Sequence, residues 1–592
     1  LLCVSGAPLA SGIEALPWSK ASLARRDRPG HGLAGCGPAA QIGRKKDGYG
    51  EVPMLGLMQD WPLLAHRVID HAARHHGGRE VLSRSVEGPI HRTTYAGVRT
   101  RALRLAQRLS QEGVGLGDRV ATMAWNTWRH LEAWYGITGI GAVYHTLNPR
   151  LFPDQIAWIL NHAESRMMLV DLTFVPLLEK IAPRLPHVAR YVILTDAAHM
   201  PATALPGAVD YESWLAEADG DFAWASFDEN TAAGLCYTSG TTGEPKGVLY
   251  SHRSNTLHAM ACSMPDVFGL SAMDRVMPVV PMFHANGWSL PFSAPMSGAA
   301  LVMPGPKLDG PSVHALLEEG QVTFTAAVPT VWLGLLQHLE AGGAPLTTLK
   351  RVAIGGSACP PALIEGFAGR GVRVVHAWGM TETSPVGTVC SMKPETAGLD
   401  PRGQLDLQRK QGCPPFTVDM RIVGDDGSEQ PWDGTTFGNL QVQGPTVTRG
   451  YFKAAKDSLT PDGWFETGDV ATIDAHGYMH VTDRTKDVIK SGGEWISSIE
   501  LENLAVGHPD VAEAAVVAAR HPKWDERPLL ILVAKPGRVI EKQSVLDHLA
   551  PHVAKWWMPD DVVVVDEIPH TATGKILKTK LREQFASHFG AG

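Results

Sequence analysis

Short, buried-looking runs of apolar residues recur through most of this chain, each followed by a helix-spaced segment. The runs "RMMLVD", "RYVILTD", "ALVMPG", "FTAAVPT", "RVAIGGSACP" and "VRVVHAWG" repeat the theme. Upstream, "YAGVRTRALRLAQRLSQEGV" has apolar residues at helical spacing and ends near Gly113 and Gly115, and "DRVATMAW" reads as a strand. Next, "TWRHLEAWYGITGIGAVYHTL" reads as a helix followed by a strand. Strand–helix alternation implies an α/β fold in which largely parallel sheets are covered by helices. Ligands of such sheets sit beyond the carboxyl ends of strands, where Gly355 and Gly356 would lie.

The texture changes near residue 483. "MHVTDRTKDVIKSGGEWIS" reads as a hairpin of short strands, followed by the helix "SSIELENLAV". Strands "VAEAAVVAAR", "LLILVAKP" and "VVVVDEIP" and the helix "SVLDHLAPHV" complete the segment. We therefore expect three parts in the 592 residues: an unstructured leader (1–53), a large domain (54–482) and a small α+β domain (483–592). The leader shows no hydrophobic period, and its opening "LLCVSGAPLASGI" lacks the charged start of a signal peptide.

Charge and cysteine usage exclude several roles. The formal charge is 53 − 61 = −8 with no concentrated block of Lys or Arg, which argues against nucleic acid as a partner. No apolar run is long enough for a membrane span. The seven cysteines have no paired spacing, which argues against zinc and for reduced thiols, hence a cytoplasmic protein.

The segment "YTSGTTGEPKGVLY" (237–250) carries the clearest chemistry. It is not a Walker loop, because Lys246 stands between Pro245 and Gly247 and not between the last glycine and a hydroxyl residue. Its glycines and hydroxyls can still offer N–H and O–H donors to phosphate oxygens, with Lys246 adding charge.

"YTSGTTGEPKGV" resembles the signature of the adenylate-forming superfamily of acyl-CoA synthetases, luciferases and peptide-synthetase adenylation domains. "PMFHANGW" (281–288), "GGSACP" (355–360), "WGMTETSP" (378–385), "GWFETGDV" (463–470), "DRTKDVIKSGGEWIS" (483–497) and "TGKILK" (573–578) follow in the family's order. The overall similarity is to bacterial medium- and long-chain fatty-acid–CoA ligases. It implies a large domain and a small mobile one, with ATP, CoA and a fatty acid as substrates and Mg²⁺ accompanying the nucleotide.

The resemblance also implies roles for individual residues. Thr238, Ser239, Gly240, Thr241, Thr242, Gly243 and Lys246 would grip the triphosphate, with Glu382 and Thr238 at the metal and Thr381 on phosphate. Gly355, Gly356, Trp378 and Gly379 would border the adenine and acyl pockets. Asp469 and Arg484 would hold the ribose. Lys575 would bridge carboxylate and α-phosphate, and His284 would stand between the acyl pocket and the thiol. Lys490, Gly492, Gly493, Glu494 and Trp495 would serve the CoA step, and Lys486 or Asp483 the hinge.

Short-chain synthetases of this kind carry Trp where this chain has Gly379. A lone hydrogen there would leave the acyl tunnel open, with Trp288 as its aromatic gate. Rival readings are an aryl-acid ligase of the same superfamily, a luciferase-type enzyme, an adenylation module and a non-catalytic ATP sensor. No carrier domain follows to support an adenylation module, and Glu382 and Lys575 are retained, against the sensor. A transient membrane contact and a homodimer are left open.

Overall fold

The computed structural model describes residues 56–238, 244–491, 494–570, 576–586 and 588–590. The chain separates into two compact units, 1–60 and 61–592. Of the first, only 56–60 are described, and they carry no helix or strand. The expectation for the leader, 1–53, therefore lies outside the described residues, as do Ser239, Gly240, Thr241, Thr242, Gly243, Gly492, Gly493 and Lys575.

Two large sheets organise the second unit. A seven-stranded sheet runs in the order Val209–Asp210, Arg190–Ile193, Met167–Val170, Arg119–Met123, Val143–Thr146, Ala232–Tyr237, Gly247–Ser251. Every pairing in it is parallel except the last. An eight-stranded sheet runs Val386–Val389, Arg373–Gly379, Arg351–Ile354, Phe324–Ala327, Arg275–Pro278, Ala300–Met303, Glu80–Arg84, Ile90–Thr94, parallel inside and antiparallel at both edges.

Helices fill the space between these sheets. The largest core cluster joins Val120 of one sheet and Leu301 of the other with Leu105, Leu131 and Trp134 of the helices Tyr95–Gln111 and Trp128–Gly139. Every residue of Trp128–Gly139 is buried, as a helix packed on all sides must be. Its charges are paired: Glu132 meets Arg101 at 2.7 Å and Arg129 meets Glu87 at 2.7 Å. The helix Tyr95–Gln111 ends where expected, with Gly113 in a left-handed conformation (φ 75°) that glycine adopts without strain.

The structure adds two features to this outline. The large region also contains a four-stranded antiparallel sheet, Asp419–Val423, Gly438–Gln443, Phe465–Ile473 and Met479–Arg484. Its strands alternate polar and apolar residues, a pattern weaker than the solid apolar runs of parallel strands. Met479–Arg484 pairs in this sheet, so it forms no hairpin with the strand after it. The hairpin is instead Ile489–Ser491 with Glu494–Ile496.

That hairpin joins the long strands Val511–His521 and Asp525–Ala534, with Asp561–Val564 parallel alongside. The helices Ser498–Val506 and Lys542–Leu549 pack on this sheet around Leu501, Val545, Val516 and Leu530. No helix among the described residues is long and apolar enough to cross a membrane.

Candidate active site

The glycine- and hydroxyl-rich segment connects the last two strands of the seven-stranded sheet, where Tyr237 pairs with Gly247. The Thr238 amide donates to the Lys246 carbonyl at 2.9 Å, closing the base of the loop. Lys246 is exposed, and its ammonium stands 4.8 Å from the centroid of the Tyr451 ring, a cation–π contact. The Tyr451 hydroxyl in turn donates to Glu382 Oε1 at 2.8 Å. Three residues from separate segments thus converge, and Tyr451 carried no signal in the sequence beyond its type.

The turn bearing Glu382, Thr381–Thr383, is held through its backbone. The Tyr250 hydroxyl donates to the Thr381 carbonyl at 2.7 Å, and the Thr448 amide to the Glu382 carbonyl at 2.8 Å. Glu382 is buried, and desolvation raises its carboxyl above the ordinary value. The Tyr451 hydrogen bond and the Arg484 and Lys246 charges act in the opposite direction. Among the described residues no group of three or more His, Cys, Asp or Glu could hold a metal by itself. A single buried hard oxygen donor beside a phosphate-type loop fits Mg²⁺ arriving with a triphosphate, and does not form a self-contained protein cage.

Asp469 lies next to this cluster. It sits on Phe465–Ile473, opposite Arg484 in the strand register. Its Oδ1 lies 3.0 Å from Arg484 Nε, and its Oδ2 accepts from Trp378 Nε1 at 3.0 Å. Trp378 therefore orients a carboxylate. Such a group offers about four acceptor sites.

Residues 285–289 are the most unusual backbone among the described residues. Ala285, Asn286, Gly287, Trp288 and Ser289 all have positive φ, between 39° and 61°. For the four that are not glycine this is an unfavoured conformation, which the surroundings must hold. Asn126 holds the segment leading into it. Its amide donates to the carbonyls of Pro278 (2.7 Å) and Val280 (2.8 Å), and its Oδ1 accepts from the Met282 amide at 2.7 Å. Sequence reasoning missed Asn126, because a lone Asn after a strand has no distinguishing pattern.

His284 is exposed at the start of this turn, whereas Trp288 is buried at its end. A β-carbon on Gly355 would lie 2.9 Å from Trp288 Cη2 and 2.7 Å from the Ala377 carbonyl oxygen. That glycine permits the indole and the neighbouring strand to approach closely. Gly356, at φ 82°, makes the next turn.

Gly379 does not leave a tunnel open. A β-carbon there would stand 1.8 Å from the Pro385 carbonyl oxygen and 2.7 Å from its carbonyl carbon. The glycine allows two backbone segments to touch at an irregularity between Arg373–Gly379 and Val386–Val389. The expectation that it sets chain length is withdrawn on this ground.

Of the residues expected at the CoA step, Lys490, Glu494 and Trp495 are described and lie on the hairpin Ile489–Ser491 and Glu494–Ile496. Lys490 reaches Asp425 at 2.8 Å and lies 5.0 Å from the Trp495 ring, which stacks on Phe437 at 6.5 Å. The backbone of Glu494 is in the paired strand Glu494–Ile496. Of the two hinge candidates, Asp483 is buried and accepts from the Ser498 amide at 2.6 Å. Lys486 is exposed, and its carbonyl accepts from Arg582 at 3.0 Å.

The chain matches two known families, the AMP-binding enzyme over residues 69–452 and the AMP-binding enzyme C-terminal domain over residues 500–575. It is 50% identical to a 3-methylmercaptopropionyl-CoA ligase of Ruegeria pomeroyi, over 90% of this chain and 99% of that one. It is 48% identical to a medium-chain-fatty-acid–CoA ligase of Ectopseudomonas oleovorans, over 90% and 98%. Identity to a long-chain-fatty-acid–CoA ligase of Thermus thermophilus is 46%, over 90% and 97%. Among solved structures, an o-succinylbenzoate coenzyme A synthetase of Bacillus subtilis in complex with ATP and magnesium superposes with a TM-score of 0.72. It shares 25% identity over 87% of this chain and 99% of that one.

Proposed function

This chain belongs to the AMP-binding enzyme family and is an adenylate-forming acyl-CoA ligase, and from that premise we propose that it activates medium- to long-chain fatty acids. The observation that carries the chemistry is the convergence of Lys246, Tyr451 and buried Glu382 beside the Asp469–Arg484–Trp378 group. In the first step a carboxylate oxygen attacks the α-phosphorus of ATP, the bond to the β-phosphate breaks, and pyrophosphate leaves. Both reactants are anions, so the site must supply positive charge and alignment.

In this reading Thr238, Lys246 and the hydroxyls of the intervening loop hold the triphosphate. Glu382 and Thr238 would hold Mg²⁺, which when bound would neutralise phosphate charge. Asp469 and Arg484 take the ribose, and Lys575 steadies the carboxylate and α-phosphate oxygens. In the second step the CoA sulfur attacks the acyl carbonyl, the acyl–phosphate C–O bond breaks, and AMP leaves. We assign Lys490, the glycines 492 and 493, Glu494 and Trp495 to that step, after reorientation of the small domain about Lys486. His284 stands at the acyl–thiol junction, and Trp288 gates the acyl side. The reading of its thiols as reduced assigns the enzyme to the cytoplasm.

Chain length rests on the relatives and on the apolar Trp288 gate, now that Gly379 has a backbone role. An apolar tunnel gains about 0.8 kcal/mol per buried methylene. The Ruegeria relative supports a second reading, a short thioether acid. The test is ATP-dependent pyrophosphate release, with and without CoA, for acids from C2 to C16, benzoate, cinnamate and 3-(methylthio)propionate. We expect kcat/KM to rise from C4 to at least C8. A maximum at 3-(methylthio)propionate with a fall at every added methylene would replace the fatty-acid reading with the second.

A further inference from the structure

The helix His252–Ser263 starts immediately after the strand that follows Lys246, so a short stretch of backbone ties it to the phosphate loop. From its second turn His258 points into the core and is 1% exposed. The Val386 amide donates to His258 Nε2 at 3.0 Å. That bond needs the lone pair on Nε2, so the ring proton sits on Nδ1 and is donated to Ser289 Oγ, 2.8 Å away. Burial pushes the imidazole down to about 3, which keeps it neutral at working pH. One helical turn on, Cys262 Sγ lies 3.7 Å from Nδ1.

The two partners of this ring adjoin the two turns of interest. Ser289 closes the left-handed run that carries Trp288 and precedes the helix Leu290–Ser297. Its carbonyl accepts the amides of Phe292 and Ser293, but its hydroxyl caps no helical amide, because it faces His258. Val386 opens the strand that follows the turn bearing Glu382. One imidazole therefore touches the end of the Trp288 turn and the start of the strand that follows the Glu382 turn. The first of these is held in an unfavoured conformation by its contacts, so it can respond when a contact shifts.

We propose that His258 is a positioning residue that couples the nucleotide side of the site to its acyl side, passing a shift of residues 381–386 through Ser289 to Trp288. The coupling rests on the reading of Trp288 as the acyl gate. It also requires reciprocity: nucleotide must change acid affinity by the same factor as acid changes nucleotide affinity.

The experiment uses full-length wild type, Ser289→Ala, His258→Gln and His258→Asn. Binding of octanoic acid is measured calorimetrically with and without saturating α,β-methylene-ATP and Mg²⁺. In wild type the analogue should change the octanoate Kd by about tenfold, within the range usual for coupled sites. Glutamine can reach Val386 but not Ser289, and asparagine the reverse, so each should bring the ratio close to one. Ser289→Ala, which removes a single hydroxyl, should do the same and keeps the test open if the histidine variants fail to fold. A ratio equal to wild type in a folded Ser289→Ala protein, or no linkage in wild type, overturns the coupling. A wild type that neither binds octanoate nor releases pyrophosphate with it overturns the fatty-acid reading, and the coupling with it. Octanoate-dependent pyrophosphate release with an unchanged ratio in all four proteins sinks the coupling alone.

Discussion

A β-carbon on Gly379 would overlap the Pro385 carbonyl, so even alanine is too large there. The obstacle is the backbone of residues 385–387, which cannot rotate away as a side-chain end would. We expect Gly379→Ala to destabilise the protein by about 1–3 kcal/mol, the range for overpacking a filled site. Activity should fall by a similar factor for every acid from C2 to C16, because the displaced strand carries Trp378 and leads directly into the turn that bears Glu382. Urea denaturation and kcat/KM across the acid series would check this. A loss confined to long acids would return Gly379 to the acyl tunnel.

Among the elements, the segment 278–289 depends most on a single distant side chain. Asn126 satisfies two carbonyls and one amide of its first half, all buried away from water. Alanine at 126 would leave these groups without their partner, and each unsatisfied buried group costs about 1–3 kcal/mol. We expect Asn126→Ala to lose about 3 kcal/mol of stability or more, and to raise KM for the fatty acid more than KM for ATP, since the displaced segment leads to His284 and Trp288. Steady-state kinetics with each substrate varied in turn provide the measurement. An equal rise in both KM values would mean that Asn126 supports the core generally.

For the whole molecule, the junction between the four-stranded and five-stranded sheets is held by charged groups. Asp483 pairs with Val470 through its backbone while its side chain accepts from Ser498, and Ser497 Oγ donates to the Thr482 carbonyl. Beneath them Lys578 meets Glu502 at 2.7 Å and Ser498 Oγ at 2.6 Å, with the two charged side chains 11% and 14% exposed. Burial works against the Lys578 ammonium, yet the Glu502 and Asp483 carboxylates outweigh it and raise its value above that of an ordinary lysine. Breaking such a pair from one side strands a charge and costs about 3 kcal/mol, whereas replacing both partners with apolar groups is close to neutral. Lys578→Met should therefore destabilise the protein, and Lys578→Met with Glu502→Leu should recover most of the loss. A double-mutant cycle by urea denaturation tests this. Additive single and double losses would show that the pair contributes nothing as a pair.

The sequence by itself determined the parallel-sheet architecture and the order of the motifs, because both reside in local patterns. A solid run such as Met167–Val170 declares a buried strand wherever it sits. The Thr238–Lys246 stretch and Glu382 stand out in the sequence for the same reason, since neighbouring residues mark them. Tertiary structure alone decided what holds those motifs in place. Tyr451 lies 69 residues from Glu382, His258 lies 128 from Val386, and Asn126 lies 154 from Val280. No local period can encode hydrogen bonds across such separations. The role of Gly379 was misread for the same reason: which atoms a missing side chain makes room for is set by the strand that folds back against it, and only the packed sheet brings Pro385 there.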